Sequence, residues 1–294
     1  MEHKASIQPV EGGEVKLRNV TKQFGEDVAQ TTVIQDCTFE VERGKFTVVI
    51  GPSGCGKTTL INVIAGYETP TSGEVVLDGA TVSGPGPDRL VVFQETALFP
   101  WMTTLNNVMY GPVVQRDSQA ADIEKKAHEL IELVGLSEFS HKYPIQLSGG
   151  MQRRAELARA LINNPRVLLM DEPFRGLDAM TRQLMQEYLL RLFEGSGRTI
   201  LFVTSEIDEA ILLADKLLVL SRAPTHVKAT ITVDLPRPRN LEMLTSRRYA
   251  ELKSEALSIL YQEAVSAFAA GSNAAADLVE AFEQRQSVQG KTDK

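Results

Sequence analysis

Residues 51–58 read GPSGCGKT and fit the phosphate-binding pattern GxxxxGK followed by Ser or Thr. The strand-like run KFTVVI precedes them, and the helix-like run TTLINVIAG follows them. In such a loop, glycines let backbone N–H groups face anionic oxygens, Lys57 reaches the β- and γ-phosphates, and Thr58 offers its hydroxyl to Mg²⁺. The flanking strand and helix make a chance glycine-rich turn the weaker interpretation. We therefore expect phosphate contacts from Gly51, Pro52, Ser53, Gly54, Cys55, Gly56, Lys57, Thr58 and Thr59.

Two carboxylates, Asp171 and Glu172, follow the apolar run VLLM. A buried strand of this kind places them at its carboxyl end, the edge of a parallel sheet where ligands bind. We expect Asp171 to hold Mg²⁺ through water and Glu172 to orient and deprotonate an attacking water. The alternative is a plain helix cap, because Pro173 suits the first position of a helix.

The run LSGGMQ precedes a helical pattern. A Ser-Gly-Gly turn at a helix N-terminus can bind an anion, although an ordinary helix cap by Ser148 is the alternative. Together with the two motifs above and with Gln94, Asp178 and Phe24, this run makes the chain resemble the nucleotide-binding subunit of an ATP-binding cassette (ABC) transporter. The resemblance covers about residues 14–235, and LSGGMQ is specific to cassette ATPases.

The resemblance implies a head-to-tail dimer of two cassettes that encloses two ATP molecules. One chain serves a nucleotide through its phosphate loop, Gln94 and the two carboxylates. The other chain presents its LSGGMQ turn, where Ser148 and Gly150 donate hydrogen bonds to the γ-phosphate and Gly149 lies between them. Without the phosphate of a partner chain, this turn has no anion to bind.

Three further residues take their roles from their positions in the family pattern. Gln94 resembles the residue that touches Mg²⁺ and the attacking water and that senses the transmembrane partner. Phe24 matches the aromatic that stacks on adenine, and its alternative is a buried aromatic at a strand end. Asp178 resembles the residue that communicates across the dimer.

The chain departs from the family pattern after the run TILFVT, where Ser205 stands in place of a catalytic His that contacts the γ-phosphate. A hydroxyl is shorter than an imidazole and cannot carry its positive charge, so this departure predicts tight ATP binding with slow turnover. Arg175 and Glu156 also stand where small residues are common.

Segments such as VVFQETALFPWMTTLNNV and DEPFRGLDAMTR resemble the ATPases of nitrate, sulfonate and taurine importers. This resemblance implies transmembrane permease subunits and, indirectly, an external solute-binding protein as partners. It places the chain peripherally at the cytoplasmic face of the inner membrane. Trp101 is a candidate anchor for the permease, with packing inside a helical insert as the alternative.

Two other functions remain open alongside the importer ATPase. One is a weakly hydrolysing or non-hydrolysing regulatory cassette, paired with a complete ATPase; Ser205 favours it and Glu172 opposes it. The other is a soluble cassette ATPase that acts on ribosomes or DNA. That function is less favoured, because the chain shows neither a second cassette nor a long coiled coil.

The elements that must position these residues are short apolar runs that alternate with helical patterns. This alternation predicts an α/β protein with a largely parallel sheet. The runs EVKLRNVTKQF, TTVIQDCTFEV and KFTVVIG predict a small antiparallel β region, so the sheet is mixed. The expected fold is an ABC-type P-loop core with this β subdomain and a helical insert. We predict an N-terminal extension at residues 1–13, a cassette at 14–235 with its helical subdomain at about 97–165, and a C-terminal helical extension with a disordered tail at 236–294.

The composition and the lengths of the apolar runs argue against several classes of protein. The 294 residues carry a formal charge of −7, the wrong sign for a nucleic-acid binder, so no nucleic-acid partner is expected. Two cysteines cannot build a disulfide framework or a four-ligand zinc site. The N-terminal residues lack the apolar stretch of a signal peptide. Strongly apolar runs are four residues long, against the ~18–20 that cross a bilayer.

Overall fold

In the computed structural model, which describes residues 9–25, 30–116 and 120–269, the strands form two sheets. The smaller sheet is antiparallel, with the order β2-β1-β4-β5. Its strands are β1 (Val15–Phe24), β2 (Thr31–Val41), β4 (Ser72–Leu77) and β5 (Ala80–Thr81). The predicted tail and residues 1–8 of the predicted N-terminal extension lie outside the described residues.

The larger sheet has the order β10-β9-β3-β8-β7-β6. Its first five strands in the chain pair in parallel, and the last pairs antiparallel with β9. The predicted mixed α/β fold is confirmed, but the run KFTVVIG was wrongly grouped with the antiparallel region. It forms a central strand here because all five of its residues are buried and apolar or small, as a parallel strand covered on both faces requires. The strands are β3 (Phe46–Ile50), β6 (Arg89–Val92), β7 (Val167–Asp171), β8 (Thr199–Val203), β9 (Lys216–Leu220) and β10 (Val227–Thr232).

Helices cover both faces of the larger sheet. Along β3, Phe46 and Val48 pack into the apolar core on one face of the sheet, whereas Val49 packs into the core on the other face. Within the described residues, no helix is both long enough and apolar enough to cross a bilayer. The α-helices are α1 (Lys57–Ala65), α2 (Thr104–Gln115), α3 (Ala120–Leu133), α4 (Gly149–Leu161), α5 (Ala179–Phe193), α6 (Ile207–Leu213) and α7 (Arg247–Ala269). Short 3₁₀ turns span Ser137–Phe139, Pro144–Gln146 and Leu241–Thr245.

The helices α2, α3 and α4 enclose a separate apolar core in the region predicted as a helical insert. Ala127 and Ile131 of α3 are fully buried there, at the four-residue spacing that places two side chains on one helix face. The domain boundaries themselves stay a prediction.

The segment before α7 is held in place by one buried guanidinium, that of Arg239. The side chain of Arg239 is 1% exposed and lies 3.5 Å from Asp215. Burial lowers the pKa of Arg239 to about 10. Its nitrogens donate to the backbone carbonyls of Ile211, Leu212, Ala214, Val233 and Leu235. The guanidinium thus connects the end of α6 to the segment that follows β10.

Replacing this residue tests its contribution to stability. Arg239→Ala removes the donors of five buried carbonyls, and we expect the free energy of unfolding to fall by about 3–5 kcal/mol. Urea titration followed by circular dichroism measures the change. Arg247→Ala is the matched control, because that side chain is 94% exposed and its pair with Glu251 contributes little. Equal midpoints for the two variants would contradict the assigned role.

Candidate nucleotide-binding site

The predicted phosphate loop lies between the end of β3 and the start of α1. Gly54 and Gly56 have φ angles of 75° and 105°, in the left-handed region that glycine tolerates. A Cβ on Gly56 would lie 2.7 Å from Cγ1 of Val33, so a side chain does not fit there. Because Gly56 is the N-cap of α1 and has no side chain, the first N–H groups of the helix remain available to an anion.

Lys57 is buried at the first position of α1. Its Nζ donates to the carbonyl oxygens of Gly51 and Pro52, at 3.0 and 3.1 Å. The ammonium is therefore held within the loop, where a phosphate entering the cradle would meet it. Cys55 is buried in the same loop, and burial raises the pKa of its thiol, which disfavours a nucleophilic thiolate.

Asp171 ends β7 and lies directly beside the phosphate loop. Thr58 of α1 is close enough to its carboxylate to affect its pKa, although the two residues are far apart in the sequence. Burial raises the pKa of Asp171, and the Thr58 hydroxyl opposes that shift. Carboxylate and hydroxyl oxygens are the hard donors that Mg²⁺ prefers, so this pair fits the predicted metal.

Glu172 follows with a φ of 42°, a left-handed conformation that is uncommon for a residue with a side chain. Its N–H donates to the carbonyl of Val203 at 2.9 Å, which anchors the turn to the end of β8. The carboxylate is buried, with Oε1 3.9 Å from Nζ of Lys57. The alternative of a helix cap at this point is wrong, since the next α-helix begins at Ala179 and is capped by Asp178.

Arg175 donates from Nη1 to the second carboxylate oxygen of Glu172, Oε2, at 3.1 Å. The sequence marked Arg175 as unusual but did not predict this pair. Ser205 is exposed and lines a small cavity together with Glu172 and Arg175. The structure therefore places two of the three departures from the family pattern, Arg175 and Ser205, in one cavity.

The LSGGMQ turn forms the start of α4, where the helix cap by Ser148 is present and anion binding stays a prediction. Ser148 caps the helix by accepting from the N–H of Met151 at 3.3 Å, yet it remains exposed beside Gly149. A Cβ on Gly150 would lie 2.6 Å from Cγ2 of Thr181, which explains the glycine. Ser148 and Gly150 line a cleft between α4 and α5 that contains no phosphate-loop residue. The structure thus does not bring this turn together with the phosphate loop of its own chain.

The remaining site candidates are all exposed. Phe24 ends β1 with 39% of its surface exposed and Nζ of Lys22 lying 4.8 Å from its ring centroid, so the alternative of a buried aromatic is wrong. Gln94 follows β6 and is exposed. Asp178 caps α5 by accepting from the N–H of Thr181 at 3.0 Å, and hydrogen bonds from Thr181 lower the pKa of Asp178.

Sequence reasoning missed the residue that holds the Gln94 segment in place. Arg153 of α4 donates to the carbonyls of Phe93 and Gln94, at 2.7 and 2.6 Å. Its charge is balanced by buried Glu156, which also accepts from the N–H of Ala97 at 3.1 Å. The signal was available as an Arg and a Glu three positions apart on the helix that follows LSGGMQ.

Trp101 lies on the surface near this segment. It is 69% exposed, so the alternative of packing inside the helical insert is wrong. Its ring stacks on Phe99 with centroids 5.5 Å apart, and Phe99 contacts Tyr110 edge to face. Tyr110 and Phe93 in turn line an open groove between β6, α2 and α4.

Comparison with known proteins finds related chains. The family model described as "ABC transporter" matches residues 34–175. The chain is 44% identical over 249 residues to an uncharacterized ABC transporter ATP-binding protein from Methanocaldococcus jannaschii, covering 85% of this chain and 92% of that one. It is 42% identical over 247 residues to a nitrate import ATP-binding protein from Synechococcus elongatus, covering 83% and 90%.

A solved structure extends the comparison to three dimensions. It is a dimeric ATP-binding cassette in a post-hydrolysis state, bound to ADP and Pi. It aligns with a TM-score of 0.67 at 31% identity and covers 76% of this chain and 100% of that one.

Lys57→Ala tests whether the loop binds nucleotide. A charge-assisted hydrogen bond to a phosphate contributes about 1.5–3 kcal/mol, so we expect ATP affinity to fall at least about tenfold. Calorimetric titration with MgATP measures it, and Lys16→Ala in the antiparallel sheet is the control. Unchanged affinity and turnover in the Lys57 variant would refute the site.

Proposed function

The chain belongs to the ABC transporter family of ATPases, and from this premise we propose that it energises the import of a small anion such as nitrate, a sulfonate or taurine. The nitrate import relative supports this solute class, as do the sequence segments around Gln94 and Asp178. In this proposal, the cassette spans residues 14–235, and the C-terminal extension follows it.

One observation carries the proposal. Lys57 and Thr58 of the phosphate loop meet Asp171 and Glu172 at the carboxyl edge of the larger sheet. This arrangement joins a cation for phosphate, two oxygens for a metal and a buried carboxylate for water. These are the groups that phosphoryl transfer from a nucleotide requires.

The chemistry follows from these positions. Thr58, Asp171 and Gln94 would hold Mg²⁺, which neutralises negative charge on the β- and γ-phosphates when it is bound. Glu172 accepts a proton from the water whose oxygen attacks the γ-phosphorus. The bond from that phosphorus to the β–γ bridging oxygen breaks, and the products are ADP and inorganic phosphate. Phe24 offers an exposed ring face to the adenine.

A second cassette completes each site in this proposal. The LSGGMQ turn of one chain is separate from its own phosphate loop, and Ser148, Gly149 and Gly150 are accessible to a partner. The dimeric solved cassette supports such an assembly. We propose that Ser148 and Gly150 of one chain bind the γ-phosphate held by the other, and that exposed Asp178 lies at the same interface.

Membrane coupling would take place at the groove beside Gln94. Trp101 and the groove-lining Tyr110 present exposed aromatic surface suited to a permease subunit. Arg153 holds the backbone of Phe93 and Gln94 against α4. A displacement of the groove residues by the permease would therefore also displace Gln94 at the nucleotide site. The chain would then be a peripheral protein at the cytoplasmic face of the membrane, served indirectly by an external solute-binding protein.

A weakly hydrolysing regulatory cassette is the second candidate. Two observations favour it: Ser205 offers a hydroxyl in place of an imidazole, and the proposed base Glu172 is paired with Arg175. Turnover by the purified chain, alone and with its permease, separates the two functions. A soluble ABC-type ATPase has no comparable observation in its favour.

Glu172→Gln tests the proposed base. The amide keeps the shape of the side chain but cannot accept the proton from water, so hydrolysis should stop while ATP and the dimer persist in the presence of Mg²⁺. Size-exclusion chromatography with labelled ATP measures both results. Glu251→Gln, an exposed residue of α7, is the control. Hydrolysis at the parental rate in the Glu172 variant would place the base elsewhere.

Association with the membrane is tested by fractionation. Co-expressed with its permease, the chain should sediment with membranes and be released by an alkaline wash, because its described helices do not span a bilayer. Trp101→Ala should shift the chain to the soluble fraction, whereas Tyr261→Ala, on the distant helix α7, should not. Release by detergent alone would contradict peripheral attachment.

A further inference from the structure

The carboxylate of Glu172 is buried between two cationic side chains that differ in solvent exposure. On one side Lys57, whose side chain is 7% exposed, is fixed by two loop carbonyls. On the other side Arg175 is 61% exposed and, among the described residues, its guanidinium bonds to Glu172. The lysine is thus built into the loop, while the arginine lies at the surface with one carboxylate contact.

A backbone turn sets this contact. The N–H of Arg175 donates to the carbonyl of Glu172 at 3.0 Å, and the left-handed φ of Glu172 starts the turn. Glu172 is tied to β8 through its own N–H. The base of the arginine side chain is therefore fixed next to the carboxylate, although most of the side chain is exposed to solvent.

The cavity beside the turn has few other positive groups. Arg182 also lines it, but that side chain donates to the carbonyl of Leu177 at 3.0 Å and lies 3.8 Å from Glu206. Ser205, which also lines the cavity, carries no charge. Arg175 is therefore the cation in this cavity that is able to follow an incoming negative charge.

From this arrangement we infer that Arg175 is a catalytic residue that exchanges the Glu172 carboxylate for the γ-phosphate of ATP. The inference rests on the proposed function and describes how that site is regulated. Without ATP, the guanidinium occupies Oε2 of Glu172 and keeps the base engaged. A terminal phosphate carries more charge than one carboxylate and matches the planar fork of arginine. Its arrival draws the guanidinium away and leaves Oε2 free for water.

In this exchange, the binding of ATP itself releases the carboxylate of Glu172 for catalysis. ADP lacks the γ-phosphate, so it leaves the pair between Arg175 and Glu172 intact. Arginine supplied to a transferring phosphoryl group raises turnover strongly, and loss of one such donor costs about 10²–10³ in rate. Arg175 would in this way provide the positive charge that Ser205 cannot.

Equilibrium binding distinguishes this role from a structural one. In Arg175→Ala we expect affinity for a non-hydrolysable ATP analogue to fall about tenfold and affinity for ADP to stay within about twofold of the parent. The rate kcat should fall about 10²-fold. Arg175→Lys keeps the charge without the fork and should lie between the two. Arg247→Ala, an exposed arginine paired with a glutamate on α7, is the control.

A double-mutant cycle with Glu172→Gln tests the exchange itself. Glu172→Gln removes the competitor for the guanidinium, so affinity for the analogue should rise, and this gain should be several times smaller when Arg175 is Ala. Additive effects, an unchanged preference for the analogue over ADP in Arg175→Ala, or a higher kcat in that variant would each overturn the inference. If the parent binds and hydrolyses ATP, these results leave the proposed function standing. Failure of the parent to bind ATP would remove both.

Discussion

The carboxyl edge of the parallel sheet is the constraint on which the site depends. Asp171 pairs in register with Val203, and Val203 pairs with Val49 of β3, so three strands end together. Two backbone hydrogen bonds, from Glu172 to Val203 and from Thr204 to Val49, continue this ladder past the strand ends. Rigid, buried strands can therefore hold loop residues from three parts of the chain within reach of one phosphate.

The negative charges of Asp171 and Glu172 at this edge are balanced by neighbouring side chains. These contacts leave part of each carboxylate available to a ligand. Asp171 lies near the hydroxyl of Thr58, and the carboxylate of Glu172 lies between Lys57 and Arg175. A buried carboxylate without such partners would be costly, because burial penalises its charged form. The same partners are the groups that a magnesium nucleotide would contact. Binding of the nucleotide would therefore replace contacts between these side chains with contacts to the ligand.

Buried arginines connect the site to its surroundings. Arg153, balanced by Glu156, holds the carbonyls before and at Gln94 against α4, the helix that begins with the LSGGMQ turn. Arg239 holds the end of α6, the helix that follows Ser205. Each guanidinium satisfies carbonyls that lie in a loop or at a helix end, so these backbone groups have hydrogen-bond partners although no strand or helix continues there.

The sequence by itself determined the phosphate loop, the strand that ends at Asp171, and the LSGGMQ turn, because the spacing of each motif acts within one short stretch of chain. Only the tertiary structure decided that β3 lies centrally in the larger sheet and that Trp101 is exposed. It also paired Thr58 with Asp171 and placed Arg175 in one cavity with Ser205. Such contacts join residues far apart in the chain or depend on an unusual backbone turn, so packing and backbone geometry create them.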